Sequence, residues 1–271
     1  MTSPVLIGQL TDLHVVDPDG DTELYVDNNG RLAEAVASIE SEAPTLDVVV
    51  VTGDLVNDEG PDEYEALAEL LAPLSTRLVA VPGNHDDRAL LRATLPDVGW
   101  GDHEHLSWVT DVRGVRIVGL DSTRRNEHGG ELDDERAEWL DAALRASDGP
   151  TIIAMHHPPF DTGITWMDDE GYPGRETFAE IVSDSSVVKI ICGHRHRPMA
   201  STVGGVPCAV GMSTVHHMGL ALTPDAPIEV IRDPGGYQVH RVVGPDVVTH
   251  HRYIATGEQA FVPSWAMDPS N

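Results

Sequence analysis

The stretch Val48-Val49-Val50-Val51-Thr52-Gly53-Asp54 decides the fold of this chain. Its apolar residues extend back to Leu46 and are interrupted only by Asp47. Such a run is typical of a strand that is covered on both faces, as in a parallel sheet flanked by helices. The run ends at Gly53 and Asp54, so the sequence predicts a turn and a carboxylate at the carboxyl end of a buried strand.

Four other predicted strands end in the same way, in a carboxylate, an imidazole or an amide side chain. These strands span residues 5–10, 78–81, 151–155 and 187–192. The side chains that follow them are Asp12 and His14, Asn84 and His85, His156 and His157, and His194 and His196. In open α/β sheets the loops beyond the carboxyl ends of the strands form the ligand crevice. We therefore expect the five groups of polar side chains to converge.

Helical patterns separate several of these strands. The apolar spacing predicts helices near residues 32–43, 61–73, 133–145 and 178–182. Strands that alternate with helices, together with extra hairpins, indicate an α/β protein. We expect a four-layer α-β-β-α sandwich of two mixed sheets flanked by helices, with a β-rich C-terminal extension. Residues 1–200 would form the core, residues 201–256 would complete a core sheet or make a dimer contact, and residues 257–271 would form an irregular tail.

The composition argues against several classes of protein. The 271 residues include 17 Lys and Arg against 45 Asp and Glu, which gives a formal net charge of −28, and Lys189 is the only lysine. A surface of this charge repels nucleic-acid backbones and anionic membranes. The residues from Met1 to Gln9 lack the basic segment of a signal peptide, and no apolar run reaches the ~20 residues that cross a bilayer. Cys192 and Cys208 could pair but are too few for a disulfide scaffold, so we expect a cytoplasmic protein.

The set of side chains at the strand ends has a specific chemistry. It offers carboxylates, imidazoles and an amide but no thiolate, which suits Zn, Fe, Mn or Co. The donors are too many for one four-coordinate zinc ion. Two ions that share a bridging carboxylate would use them well, and two adjacent metals clamp a phosphoryl group for in-line displacement.

The motifs that carry these donors resemble the calcineurin-like metallophosphoesterase superfamily. They are D-x-H at 12–14, G-D at 53–54, G-N-H-D at 83–86, H-H-P-P at 156–159 and G-H-x-H at 193–196. The resemblance extends in order over residues 5–198. More narrowly, the segments 53–57, 83–88, 128–132 and 213–217 resemble the bacterial class III cyclic-nucleotide phosphodiesterases and the glycerophosphodiesterase branch of that group.

The resemblance implies two metal ions, each Fe, Mn, Zn or Co in a divalent or trivalent state. The first ion would be held by Asp12, His14, Asp54 and His196. The second ion would be held by Asp54, Asn84, His156 and His194. A metal-bound hydroxide would then be the nucleophile. His85 would lie over the substrate and either neutralise the phosphoryl oxygens or protonate the leaving alkoxide, Asn84 would also contact the substrate, and His216 is a candidate second substrate contact.

The resemblance therefore predicts that the chain is a metal-dependent phosphodiesterase that acts on a small substrate. The favoured reaction is hydrolysis of 3′,5′-cyclic AMP to 5′-AMP. The alternative is a glycerophosphodiesterase or a broad-specificity phosphodiesterase and phosphomonoesterase, and a third hypothesis is a non-catalytic scaffold. We disfavour the scaffold because all eight motif positions, including His85, are present. The β-rich end suggests a homodimer or a higher homo-oligomer.

Several residues have no definite role in the sequence. His157 is either a substrate contact or a structural residue, Asn57 either faces the site or belongs to a turn, and the segment 161–175 could form a wall of the pocket. A further set of histidines is interpreted as surface or strand residues: His103, His105, His240, His250 and His251.

Overall fold

The computed structural model describes residues 3–22, 24–41, 45–147 and 149–254. The predicted tail at 257–271 lies outside the described residues. In chain order the elements are β1 (Val5–Leu10), α1 (Asn28–Ser41), β2 (Val48–Thr52), α2 (Pro61–Leu71), β3 (Leu78–Val81), α3 (Arg88–Thr94), a short 3-10 helix (Pro96–Val98), β4 (Trp108–Val112), β5 (Val115–Leu120), α4 (Asp134–Arg145), β6 (Thr151–Met155), α5 (Thr165–Asp168), α6 (Arg175–Ser183), β7 (Val187–Cys192), β8 (Met199–Val203), β9 (Val206–Val210), β10 (His217–Met218), β11 (Val230–Ile231), β12 (Gly236–Val243) and β13 (Asp246–Tyr253).

Two mixed sheets form the centre of the described chain. The first sheet has the strand order β13-β12-β1-β2-β3, and the second has the order β4-β5-β6-β7-β9-β8. Strands β1, β2 and β3 are parallel, as are β5, β6, β7 and β9, whereas the outer strands β12, β13, β4 and β8 pair antiparallel. The run from Val48 to Thr52 is buried along its whole length, as its sequence predicts.

The helices cover the two outer faces of the sheets. Side chains of α1, α2 and α3 pack with one face of the first sheet in a cluster that includes Leu32, Leu67 and Leu91. Helices α4 and α6 cover the second sheet through Leu140 and Phe178. A third cluster joins the inner faces of both sheets, where β-branched residues of β1, β2 and β3 meet those of β5, β6 and β7. The four-layer α-β-β-α sandwich predicted from the sequence is therefore confirmed.

The C-terminal residues supply strands to both sheets. Strand β9 pairs with β7 in the second sheet, and β12 pairs with β1 in the first. Strand β11, Val230–Ile231, pairs antiparallel with β10 outside the two sheets. The division of the chain into a core, an extension and a tail stays a prediction.

In the part of the chain that the structure describes, no helix has the length and the apolar character needed to span a bilayer.

Candidate metal centre

The polar side chains predicted to converge lie together at the carboxyl ends of strands from both sheets. Asp12, His14, Asp54 and His196 are buried, and their potential ligand atoms all lie within 4.8 Å of one another. They follow β1 and β2, which are adjacent parallel strands of the first sheet, and β7, which lies in the second sheet, so the carboxyl ends of strands from both sheets meet at one edge of the sandwich. We refer to these four residues as the first cluster.

The imidazoles of the first cluster face each other. His14 Nε2 lies 3.0 Å from His196 Nε2 and 3.6 Å from Asp54 Oδ2. His196 Nε2 lies 3.6 Å from Asp12 Oδ1. The other nitrogen of His196, Nδ1, donates to the backbone carbonyl of His216 at 3.1 Å, so the lone pair of His196 is on Nε2, which points into the cluster.

A second cluster, formed by Asn84, His156 and His194, adjoins the first through the carboxylate of Asp54. His156 Nε2 lies 3.3 Å from Asp54 Oδ2 and 3.2 Å from Asn84 Oδ1. His156 Nδ1 donates to the Thr52 carbonyl at 2.8 Å, which leaves Nε2 to face Asp54 and Asn84. Nitrogens of His156, His157 and His194 lie within 4.8 Å of one another. Asp54 therefore stands between two groups of donors.

His157 differs from its neighbour His156 because both of its ring nitrogens have protein partners. Nδ1 lies 2.9 Å from Ser122 Oγ, and Nε2 lies 3.0 Å from the His128 carbonyl. The ring is buried, and its contacts tie two loops together. This geometry favours a structural role for His157 and supports His156 as the candidate ligand.

Unusual backbone conformation is concentrated in the two clusters. Among the described residues, eight non-glycine residues have positive φ, and five of them are predicted ligands: Asp12 (51°), His14 (43°), Asp54 (51°), His194 (72°) and His196 (47°). A left-handed conformation destabilises an L-residue by roughly 1–2 kcal/mol. Strain that recurs at five polar residues after three strands, β1, β2 and β7, points to function, since such conformations gather at active sites and ligand clamps.

Two glycines make the close packing of the clusters feasible. Gly53 has a φ of +91°, and a Cβ there would overlap the ring of His156. A Cβ at Gly83 would overlap the Asp54 carboxylate. The glycines of the G-D and G-N-H-D motifs are therefore required by the approach of the donors to each other.

Burial and mutual charge shift the pKa values of the clustered groups. Burial lowers the pKa of His14 and of His194 well below its usual value and that of His196 to about 4. Burial raises the pKa of Asp12 to about 7. Burial would lower the pKa of His156, but the neighbouring Asp54 raises it to about 9. Burial would likewise raise the pKa of Asp54, but the neighbouring imidazoles, His156 first among them, hold it well below its ordinary value. Three imidazoles are thus neutral at pH 7, the form that binds metal.

The donor set of the first cluster fits a metal ion. Asp12 Oδ2 and His14 Nδ1 are buried and have no hydrogen-bond partner. Buried polar atoms are seldom left without a partner, so the carboxylate oxygen calls for a ligand. Carboxylate and imidazole donors, without thiolate, are those preferred by borderline and hard ions. The protein is therefore suited to hold divalent metal at this edge.

His85 and His216 flank the first cluster. The ring of His85 lies edge-on to that of His14 at 4.8 Å, and its Nδ1 donates to the Asn57 carbonyl at 2.7 Å. Asn57 thus contributes its backbone to the site. The ring of His216 lies 4.6 Å from that of His196, and Tyr25 lies 5.4 Å away on the outside. Burial lowers the pKa of His216 to about 3, so the imidazole is neutral.

Glu170 is a polar neighbour of the site that sequence reasoning did not single out. Its Oε2 lies 3.1 Å from His194 Nε2 and 3.5 Å from Arg195 Nη1. Arg195 also donates to the Met167 carbonyl at 2.8 Å, so the segment that carries α5 packs against the G-H-x-H motif. One glutamate in a polar segment without periodicity carries no sequence signal. The segment 161–175 could be predicted only as a wall.

A cavity of about 590 Å³ opens beside the second cluster. Asn84 and His128 line it, and Asn84 Nδ2 lies 3.2 Å from His128 Nδ1. Its lining carries charges of both signs, with three arginines and five carboxylates: Arg88, Arg124, Arg125, Glu59, Asp86, Asp87, Glu104 and Glu127. Its volume is within the range of small-ligand sites.

Comparison with known proteins places these features in a family. A family model described as calcineurin-like phosphoesterase matches residues 5–198. The chain is 30% identical to a glycerophosphodiester phosphodiesterase of Enterobacter lignolyticus over 93% of this chain and 92% of the relative. It is 32% identical to a cAMP/cGMP dual specificity phosphodiesterase of Mycobacterium tuberculosis over 89% of this chain and 76% of the relative.

The fold is also similar to that of a solved phosphatase. A purple acid phosphatase from yellow lupin seeds superposes with a TM-score of 0.66 at 15% identity and covers 95% of this chain and 53% of the phosphatase. At this identity the likeness concerns the fold alone, and it agrees with the two-sheet sandwich described above.

Proposed function

We propose that this chain, which belongs to the calcineurin-like phosphoesterase family and is a metal-dependent phosphoesterase, hydrolyses a small phosphodiester and acts best on 3′,5′-cyclic AMP to give 5′-AMP. The observation that carries the proposal is the position of Asp54 between two buried groups of donors. The cyclic-nucleotide relative of Mycobacterium tuberculosis supports the choice of substrate.

We assign two ions to the two clusters. Asp12, His14 and His196 would hold one, Asn84, His156 and His194 would hold the other, and Asp54 would bridge them. Fe, Mn, Zn or Co suits these donors. When bound, such ions neutralise phosphoryl oxygens and lower the pKa of water. Their four or more positive charges offset the carboxylates of Asp12 and Asp54, so an anionic diester can approach within a protein of net charge −28.

The protein's own residues orient the diester and supply a proton. His85 is held by the Asn57 carbonyl through Nδ1, which leaves Nε2 free to act toward the substrate. In the metal-free protein Asp54 raises the pKa of His85 above its ordinary value, although burial opposes this shift. An imidazole positioned beside the substrate can act as a general acid. We assign His85 Nε2 to the protonation of the departing alkoxide. The amide of Asn84 would orient a phosphoryl oxygen. We propose His216, which lies beside His196, as a second contact to the substrate.

A glycerophosphodiester is the second candidate substrate. The specific support is the Enterobacter lignolyticus relative, which aligns over nearly the whole chain. The same clusters would serve either substrate because both are diesters with an alkoxide leaving group. The two substrates differ in the part that carries the leaving oxygen, and this part would lie in the cavity of about 590 Å³.

Side-by-side turnover tests the choice of substrate. We would compare 3′,5′-cyclic AMP, a glycerophosphodiester, bis-p-nitrophenyl phosphate and p-nitrophenyl phosphate with metal-loaded protein. We expect the highest kcat/KM with cyclic AMP. A higher value with the glycerophosphodiester would favour the second candidate. Cleavage of the monoester far faster than every diester would contradict both.

We expect metal affinity to increase with pH. In the metal-free protein the pKa of Asp12 is raised to about 7 by burial, and that of His156 is raised to about 9 by Asp54 against the effect of burial. The first ion must displace the proton of Asp12 below about pH 7, and the second ion must displace the proton of His156 below about pH 9. The affinity for the first ion should therefore increase by up to about tenfold per pH unit until about pH 7, and the affinity for the second ion should do so until about pH 9. Competition with a chelator of known affinity at each pH measures this, and a flat profile would contradict the assignment of Asp12 and His156 as ligands.

Glu170 should strengthen binding of the second ion. Its carboxylate contacts His194 Nε2 at 3.1 Å, and when that nitrogen carries the proton the lone pair of His194 is on Nδ1. Glu170→Gln should weaken the second ion by about 10- to 100-fold and leave the first unaffected, as expected for a partner that orients a ligand. Equilibrium dialysis against Mn²⁺ measures both affinities. Glu176→Gln, on the exposed side of α6, is the matched control. Equal affinities in the wild type and Glu170→Gln would remove this role.

Two broader features also belong to the proposal. Cys192 and Cys208 are free and buried thiols, which suits the reducing cytoplasm where we expect the protein to act.

We further propose a homodimer or a higher oligomer of this chain, with no nucleic-acid polymer or membrane as partner. Sedimentation at several protein concentrations tests the oligomer, and a monomer at every concentration would contradict it.

A further inference from the structure

A third group of potential ligands lies away from the candidate metal centre. It consists of His103 and His105 in the loop before β4 and Glu135 in the first turn of α4. Their potential ligand atoms all lie within 4.8 Å of one another. His103 Nδ1 is 3.8 Å from Glu135 Oε1, and the two imidazoles are stacked with ring centroids 4.8 Å apart.

His105 differs from the surface or strand residue that the sequence predicts. It lies in a loop, and only 4% of the residue is exposed. Its Nδ1 lies 2.9 Å from Ser107 Oγ, which in turn accepts the backbone N–H of Asp121 at 3.0 Å. Its Nε2 is buried and has no hydrogen-bond partner. A buried polar atom without a partner destabilises a fold by about 1–3 kcal/mol, so the arrangement calls for a ligand at Nε2.

We propose that His103, His105 and Glu135 form a separate binding site for one borderline divalent cation, of which Zn²⁺ is the representative. Two imidazoles and one carboxylate, with a water in the fourth position, are a common ligand set for zinc. Ligating histidines typically donate their other ring N–H to a fixed acceptor. With metal at Nε2, Ser107 Oγ would be that acceptor for His105 Nδ1–H, because it lies 2.9 Å away and its contact with the Asp121 N–H holds it in place.

The side chains around the site support cation binding. Asp102 and Glu104 flank His103 in an exposed acidic segment of a protein whose net charge is −28, so cations are attracted to this surface. The side chains of His103 and Glu135 are 45% and 65% exposed, which leaves them free to rotate toward the fixed Nε2 of His105. Tetrahedral ligands about 2.0–2.1 Å from zinc lie roughly 3.3 Å apart. The exposed ring of His103 must therefore rotate out of its stack on His105, and its nitrogen and the Glu135 carboxylate must each move by roughly 1–2 Å.

An ion here would join a loop to a helix beside the substrate cavity. Glu104, between the two histidines, lines the cavity of about 590 Å³. Binding would fix this loop against α4 through Glu135. The site would therefore stabilise one wall of the cavity without supplying a catalytic group.

The content of bound zinc tests this site independently of the phosphodiesterase activity. Protein that retains its other metals is dialysed against Zn²⁺, and bound zinc is determined by elemental analysis. His103→Asn and Glu135→Gln should each bind one zinc ion per chain fewer than the wild type. His250→Asn, a substitution on the exposed strand β13, is the matched control and should bind as the wild type does. Turnover of the best substrate shows whether the candidate centre is intact, so failure of this site and failure of the proposed function are distinguished.

Imidazole nitrogen NMR on ¹⁵N-labelled protein provides the second readout. Zn²⁺ should shift His105 Nε2 to the position of a metal-bound nitrogen while Nδ1 stays protonated, and the shift should be lost in Glu135→Gln. Equal zinc content in the wild type and both variants would overturn the proposal. An unchanged His105 Nε2 resonance at saturating Zn²⁺ would overturn it as well.

Discussion

Asp54→Asn should lower the kcat/KM of the preferred diester by more than about a thousandfold and reduce the content of both metal ions. A partner that only orients a ligand changes affinity or activity by about 10- to 100-fold, and Asp54 is assigned directly to both ions. The substitution keeps the size of the side chain. Asparagine also tolerates the positive φ of 51° at this position, so the backbone of the G-D turn is retained.

Elemental analysis and turnover are measured together for Asp54→Asn. Asp62→Asn, on the exposed face of α2, is the control for loss of a carboxylate elsewhere. We expect its metal content and turnover to match the wild type. Wild-type metal content combined with wild-type turnover in Asp54→Asn would contradict the bridging assignment.

His85→Ala should reduce kcat by about 10²- to 10⁴-fold while metal content stays near normal. The ring approaches that of His14 edge-on, but its Nδ1 is engaged by the Asn57 carbonyl, so we place His85 beside the ions rather than on them. Loss of a proton donor slows departure of an alkoxide more than departure of a weakly basic phenolate. The effect should therefore be much smaller with bis-p-nitrophenyl phosphate than with 3′,5′-cyclic AMP.

The two substrates separate the possible roles of His85. An equal loss with both would assign the ring to neutralisation of the phosphoryl oxygens. Loss of one metal ion from His85→Ala would show that this residue is itself a ligand and would contradict its assignment as an acid.

The sandwich and the convergence of polar side chains could be predicted because both follow from local pattern. The run from Val48 to Thr52 is buried throughout, and a parallel sheet directs the residues after such strands to one edge. The glycines of the G-D and G-N-H-D motifs belong to that pattern, and the structure shows why they are required. Gly53 and Gly83 leave room for His156 and Asp54.

Other parts of the site depend on loops, which carry no periodic pattern. Glu170 and His128 reach the clusters from segments whose paths are set by packing against Arg195 and His157. The sequence predicts His105 as a surface or strand residue, yet it lies in a loop that is folded so that the residue is buried. Tertiary contacts of this kind are not encoded in the spacing of apolar residues.

Anomalous X-ray scattering from crystals of the Mn²⁺-loaded protein locates the bound ions. We expect two peaks about 3.5–4 Å apart, one among Asp12, His14 and His196 and the other among Asn84, His156 and His194, with the Asp54 carboxylate between them. A single peak, or peaks that do not lie beside Asp54, would contradict this expectation.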